Sequence, residues 1–515
     1  MDFLLGTSHK IGDFTVDASI GGNMYTVNSN TNNQGVTDFT VKNLYTIGNG
    51  ITKTQSYGIS RQQVNSLYAF ADFGYKNFLY LNVTDRSDYF SVLTPPSSIV
   101  ANPKNSFNYP SVSASFVFSE LLPNVKWLNY GKLRMGFAQV GSANGVSPYQ
   151  SQLTYSIESQ LFGGYSVGNI AGGNNPNPYL KPYSVDEKEI GLELKTLHSR
   201  LNFDITLYDK RTNDQILPIN LSNSSGYTGQ NVNIAKLKNT GVEFLVEGTP
   251  IKNRNFSWNV SLNGAYNISK VLALNPGQTR QQVTFFNGTG NEFIGYLTYD
   301  VGKELNQLVD YTYLRNAKGE IMLSSSGNLL PSKDPVNYGS ANYKTIGGIT
   351  NIFNYKSLSL LIQIDGKFGG KVFSSTALNG LRSGLSQASL VGRGGVTFDG
   401  VLPDGSPNNK VVSAQTFYAQ YRSQNIGDPF VFSSDFIKLR NITLTYDLTR
   451  FMSKKAKFVK GLTLSAYCRN AALIMKHIPD VDPEAFASTS DSRLGYEQHT
   501  EPTTRTFGLN LNVKF

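Results

Sequence analysis

The chain has 515 residues, of which 16% are charged and 12% aromatic, with 29 Tyr and 31 Phe against 2 Trp. That charge content lies below the roughly 25% of a soluble globular domain, and a mean hydropathy of −0.26 with no apolar run of about 18 residues excludes a helical membrane protein. The net charge of +10 is scattered along the chain. Its one cluster, Lys454, Lys455 and Lys457 with Lys460, reads as a solvated turn and not a nucleic-acid surface, and one cysteine with four histidines leaves no internal disulfide and no Cys/His metal site.

Residues 14–25 read as a strand. Residues 62–75 alternate Leu67, Ala69, Ala71, Phe73 and Tyr75 with other residues, and Lys76-Asn77 turns them into 78–88. Strands follow at 111–119, 131–140, 184–196, 201–211 and 239–248. In 256–268, Phe256, Trp258, Val260 and Leu262 oppose Ser257, Asn259, Ser261 and Asn263. Residues 342–354, 358–368, 435–449, 462–470 and the terminal stretch complete about fourteen strands. In 436–442, Lys438 and Arg440 break the apolar phase, so a bulge or a strand end outside the hydrocarbon is expected there.

Short connections (76–77, 120–130, 197–200, 249–255, 355–357, 450–461) alternate with long ones (27–61, 89–110, 141–183, 212–238, 269–341, 369–434, 471–503). Short turns at one end and long loops at the other is the pattern of an antiparallel transmembrane β-barrel, with periplasmic turns and extracellular loops. In the last strand Phe507, Leu509, Leu511, Val513 and Phe515 share one face, and the chain ends on an aromatic.

Gly164-Tyr165-Ser166-Val167-Gly168 matches the nucleophile-elbow pattern but sits in a Gly/Asn-rich stretch with no helical period after it, so it reads as chance. Asp480, Asp482 and Glu484 would place three acids round a calcium ion, but Pro483 stiffens the segment, which reads as a loop turn. Cys468 shares the apolar phase of its strand and reads as an inert wall residue. No catalytic constellation emerges; the expectation is a non-enzyme without cofactor. Aromatics in the long loops are the better site candidates: Tyr149, Tyr155, Tyr165, Tyr179, Tyr227, Phe286, Tyr418, Tyr421 and Phe430, with Phe162 and Phe285 beside them, lie among Asn, Gln and Gly. Their faces suit stacking on sugar rings; the alternative is that they pack the loops together or belong to the interfacial girdle.

Several motifs resemble the SusC/RagA-type TonB-linked outer-membrane transporters: Asn177-Pro178-Tyr179-Leu180-Lys181-Pro182 followed by Glu189-Ile190-Gly191, then Tyr208-Asp209-Lys210, Gly241-Val242-Glu243-Phe244 and Phe256-Ser257-Trp258-Asn259. So do Phe398-Asp399-Gly400-Val401, the run from Ser434 to Leu444, Arg469-Asn470, Asp482-Pro483-Glu484 and the closing 502–507. The resemblance implies a TonB-dependent importer of oligosaccharides or peptides in the outer membrane of a diderm bacterium. It implies a SusD-like surface lipoprotein and the TonB–ExbB–ExbD complex as partners, outer-membrane lipid around the wall, and a role for Phe507–Phe515 as the barrel-insertion signal. Such transporters have about 22 strands and a plug. No signal peptide, TonB box, plug or early strand is expected within these residues, and residues 1–12 read as a truncated strand and turn, with 13–515 as barrel strands and extracellular loops. The expectation is a C-terminal barrel portion, beside half of a split protein or a smaller closed barrel. A self-closed porin-like channel and a secreted β-rich carbohydrate-binding protein are the alternative functions.

Overall fold

The computed structural model describes residues 1–170, 173–288, 292–452, 458–485 and 494–515; Lys454, Lys455 and Lys457 lie outside them. Fifteen strands follow one another in a single sheet in chain order. They are β1 (Asp2–Ile11), β2 (Phe14–Phe39), β3 (Gly50–Tyr75), β4 (Leu79–Phe90), β5 (Ser106–Phe116), β6 (Leu128–Ser142), β7 (Tyr183–Thr196), β8 (Leu201–Asn220), β9 (Gly229–Lys252), β10 (Phe256–Ala273), β11 (Thr345–Tyr355), β12 (Leu358–Phe368), β13 (Phe436–Asp447), β14 (Gly461–Lys476) and β15 (Thr506–Lys514). A sixteenth, Asn174–Asn175, pairs in parallel with the start of β9. Among the described residues no helix is long and apolar enough to cross a membrane, which says nothing about crossing by strands.

Residues 1–12, expected as a truncated strand and turn, hold β1, a ten-residue strand paired with β2 from Ile11↔Phe14 to Asp2↔Asn23. Gly12, with φ +61°, makes the turn between them, a backbone region that costs glycine little. Two expected long loops are largely strand: 27–61 belongs mostly to β2 and β3, and 212–238 mostly to β8 and β9. Both are rich in Asn, Thr and Ser and lack clear apolar alternation, so periodicity misses them.

The chain divides into two compact units, one of residues 1–117, 134–189 and 210–236, the other of 118–133, 190–209 and 237–515. In the first, β2 and β3 pair from Phe14↔Tyr75 out to Phe39↔Gly50. Their neighbours stop earlier: β1 reaches only Asn23, and β4 meets β3 only from Val64. Beyond that point the hairpin continues as a two-stranded arm whose side chains are mostly exposed. At its base Arg86 donates from Nε to Asp88 Oδ1 at 2.8 Å and from Nη2 to Ser66 Oγ at 2.7 Å, while the Tyr109 hydroxyl donates to Asp88 Oδ2. Phe90, Leu93, Ala143, Val146, Leu180 and Ile216 form this unit's small core.

In the second unit β10 to β15 pair antiparallel in sequence. Leu358, Tyr446, Leu464 and Leu511 are direct partners along one row across β12, β13, β14 and β15, and all four are exposed. On the same face, four residues further along each strand, a second row runs Ile362, Ile442, Cys468, Phe507. On the opposite face the corresponding row is Ser359, Thr445, Ser465, Asn510, with Thr445 and Ser465 hydroxyls 2.8 Å apart. Contiguous exposed apolar rows of this kind suit contact with lipid and are uncommon on soluble monomers. β13 carries the irregularity expected from its charges, with register shifts against β12 at Gln363/Ile364 and against β14 at Ile437/Lys438 and Leu439/Asn441.

Candidate functional site

Long loops cannot be ordered without burying apolar surface of their own, because each fixed residue costs about 1–2 kcal/mol of backbone entropy. The loops after β10, β12 and β14 meet this cost jointly. Residues Arg280–Gly288, Glu292–Asp300, Gln307–Asp310 and Val336–Ser340 form a four-stranded antiparallel sheet. Lys371–Ser374 pairs antiparallel with Val431–Ser433 and parallel with Tyr496–Glu497, which ties the last two loops together. Helices α1 (Ser375–Arg382) and α2 (Ala414–Ser423) are capped by Ser374 and Ser413, whose hydroxyls accept from the Ala377 and Thr416 amides. A shared core contains Leu297, Leu308, Leu323, Leu329, Phe373, Phe417 and Ile426. Phe373 stacks on Tyr496, with ring centres 5.9 Å apart.

A charged node fixes the last loop to the sheet. Lys438, 3% exposed, donates from Nζ to Asp482 Oδ1 and Glu484 Oε2, both at 2.7 Å, and to Thr503 Oγ1 at 3.1 Å. Arg440 forks onto Asp365 (2.8 and 2.9 Å) and onto Glu484 (2.9 and 3.0 Å). Burial pushes the Asp482 carboxyl up, but hydrogen bonds from Lys438 and Thr503 outweigh it and hold the pKa at about 2. Glu484 is likewise raised by burial and brought net below its ordinary value by Arg440 and Lys438. The acids weighed as calcium ligands are thus divided: Asp482 and Glu484 serve this ion network, and Asp480 lines a cavity beside α1.

A second buried acid is Asp310, 0% exposed. Its Oδ1 accepts the Tyr311 amide at 2.7 Å, and its Oδ2 has no hydrogen-bond partner. Burial raises its pKa well above the carboxylate range, with Asp428 adding to the rise. Asp428 in turn accepts from Thr312 Oγ1 at 3.1 Å and the Tyr338 hydroxyl at 2.8 Å.

The predicted aromatics fall into separate groups. In the first unit Tyr149, Tyr155, Phe162, Tyr165 and Tyr179 are exposed, and Tyr227 is half-buried. Tyr155 and Tyr165 lie on the two strands of a hairpin, Tyr155–Phe162 and Tyr165–Ile170, so Ser166 sits in a strand and not at a strand-to-helix elbow. In the second unit Tyr418 is half-buried and bonds the Val391 carbonyl at 2.7 Å. Tyr421 and Phe430 are buried in the loop core, ring centres 5.3 Å apart, which takes both off the accessible surface. The side chains of Phe285 and Phe286 lie outside the described residues. Sequence reasoning passed over Asp310, Asp365 and Glu497 altogether. Lys438 and Arg440 were signalled by the charges that interrupt an apolar strand and by their place in the family-like run from Ser434 to Leu444.

Residues 2–471 match the family model described as TonB dependent receptor-like, beta-barrel. The chain belongs to this family. TonB-dependent receptor P3 of Formosa agariphila is 22% identical over 496 residues, covering 91% of the chain and 47% of the relative. TonB-dependent receptor SusC of Bacteroides thetaiotaomicron is 21% identical over 426 residues, covering 79% and 40%. The chain therefore spans about half the length of the curated relatives it matches. Among solved structures, that of the RagAB peptide transporter superposes with a TM-score of 0.78 at 16% identity, over 100% of this chain and 55% of that one. These similarities bear out the resemblance to the SusC/RagA type, and the structural likeness establishes the fold of this TonB-dependent receptor barrel segment.

Proposed function

We propose that the chain is the C-terminal part of the barrel of an outer-membrane TonB-dependent transporter of the SusC/RagA type. It imports oligosaccharides or peptides, works with a SusD-like lipoprotein at its outer mouth, and is energised through the TonB–ExbB–ExbD complex. The observation that carries this reading is the match of residues 2–471 to the receptor barrel family. The exposed apolar rows of β12–β15, with hydroxyl and amide rows behind them, support placement of that wall in lipid. Self-cored loops at one end of the strands support a built outer surface in place of a simple pore mouth.

The exposed rings of Tyr149, Tyr155, Tyr165 and Tyr179 are proposed as contacts for the imported ligand. A chromosomal deletion of the gene tests the reading. The expected result is loss of growth on a restricted set of glycans or peptides, with the protein in the detergent-extracted outer-membrane fraction and import abolished without TonB. Unchanged growth on every such nutrient, or recovery of the protein in the soluble fraction, overturns it.

A further inference from the structure

The short turns joining β9 to β10, β11 to β12 and β13 to β14 form a rim at one end of the sheet in the second unit. They are tied edge to edge. The Lys356 amide donates to the Asn255 carbonyl at 2.9 Å, the Asp447 amide to the Ser357 carbonyl at 2.8 Å and the Lys460 amide to the Lys514 carbonyl at 2.7 Å. Residues 252–256, 355–358, 447–461 and 513–515, which make this rim, hold one acidic side chain, Asp447, and its carboxylate accepts the Thr449 amide at 2.8 Å.

Lys252, Arg254, Lys356, Arg450, Lys460 and Lys514 are all exposed there, and among the described residues none of the six forms an ion pair. The loop end of the same unit differs: Arg280 is matched by Asp300, Lys344 by Glu304, and Arg440 by Asp365 and Glu484. Like charges left uncompensated along one edge raise its potential and draw an anionic partner to it.

The rim also adjoins the apolar face of the sheet. The exposed row of Leu358, Tyr446, Leu464 and Leu511 continues through Tyr355 to Phe256, each a direct partner of the next. Tyr355, Phe451, Phe458 and Phe515 are more than half exposed. Phe458 and Phe515 stack with ring centres 6.1 Å apart, and Lys356 Nζ lies 5.3 Å from the centre of the Tyr355 ring. Exposed rings bordered by long cations suit a membrane–water boundary, where the rings sit at headgroup level and the cations reach the phosphates.

We infer that this rim docks an anionic glycerophospholipid, its acyl chains along the apolar row and its phosphate among the bases. A free anion would meet the charges and leave the rings in water. A lipid of zero net charge would cover the rings and leave the positive charge uncompensated, whereas an anionic headgroup meets both. The inference rests on the proposed outer-membrane placement of this wall.

The test is native mass spectrometry of the full chain in detergent, titrated with dioleoylphosphatidylglycerol, dioleoylphosphatidylethanolamine and inorganic phosphate. The expected result is saturable binding of phosphatidylglycerol, tighter than that of phosphatidylethanolamine and undisturbed by phosphate. The combined variant Lys252→Gln, Arg254→Gln and Lys356→Gln is expected to weaken phosphatidylglycerol by roughly tenfold or more, as the loss of cations beside an anionic headgroup gives, and to leave phosphatidylethanolamine unchanged. A charge-matched variant at exposed loop positions, Lys318→Gln, Lys333→Gln and Lys410→Gln, leaves both lipids unchanged. Equal affinity of the parent for the two lipids, or displacement of lipid by phosphate, overturns the site without need of a variant. So does a rim variant that binds phosphatidylglycerol as the parent does, or equal weakening in the two variants. Loss of growth in the deletion strain without lipid preference overturns this site alone; lipid preference with growth unchanged overturns the import reading alone.

Discussion

Arg440 holds Glu484 with both arms of its guanidinium, Nη1 to Oε2 at 2.9 Å and Nη2 to Oε1 at 3.0 Å, and Lys438 shares the same Oε2 at 2.7 Å. Removing one member of such a buried network strands the other charges, at about 3–5 kcal/mol. Lys438→Met is therefore expected to release the loop between β14 and β15 while leaving the sheet folded. Limited proteolysis checks it: new cleavage between residues 477 and 505, with an unchanged heat-modifiable band on electrophoresis.

The same node sets a pH dependence. Asp482 is held at about 2, below the roughly 3.9 of an unfolded aspartate, so its stabilisation is complete above the unfolded value and disappears as pH falls through the folded one. Protection of this loop from hydrogen exchange is expected to be level down to about pH 4 and to fall between about pH 4 and 2. A level profile across that interval would contradict the assignment.

Gly427 packs directly on the Asp310 carboxylate: a Cβ at residue 427 would overlap Asp310 Oδ2. Gly427→Ala is expected to cost about 1–3 kcal/mol through overpacking, and Asp310→Ala to recover part of it, so that a double-mutant cycle gives a favourable coupling. Because the Asp310 pKa is raised, its contribution is full below the unfolded value and is lost as pH rises through the folded one. Asp310→Asn should thus protect the amides of Ile426, Gly427, Asp428 and Phe430 better than the parent, by a margin that grows as pH rises above about 4.

The β2–β3 arm has no strand neighbour above Asn23 and Val64 in the pairings of β1 and β4. Replacing residues 31–58 with Asn-Gly, a pair suited to a two-residue turn, leaves Asn30 facing Ile59. Insertion and unfolding of the shortened chain are expected to match the parent within about 0.5 kcal/mol, measured by heat modifiability and denaturant titration in detergent.

Tyr155→Ala and Tyr165→Ala, at exposed positions of one hairpin, are expected to leave stability unchanged. If these rings stack on the imported ligand, each costs about 0.5–1.5 kcal/mol of binding beyond lost area, read as a shift in ligand concentration for half-maximal uptake. Uptake unchanged in both would remove them from the ligand path.

The sequence alone determined the all-β class, the order of most wall strands, the alternation of short and long connections and the family resemblance. A strand exposed to two different solvents prints its period of two into adjacent residues, so 358–368 was legible to the residue. Only the tertiary structure decided the arm, the loop sheets and the charged node. The arm carries no apolar period because neither of its faces is buried. The loop contacts join residues far apart in the chain, Lys438 to Glu484 across 46 positions and Ser374 to Glu497 across 123. No local pattern encodes such pairs, since their charges and hydroxyls become partners only when loops from different strands fold onto one core.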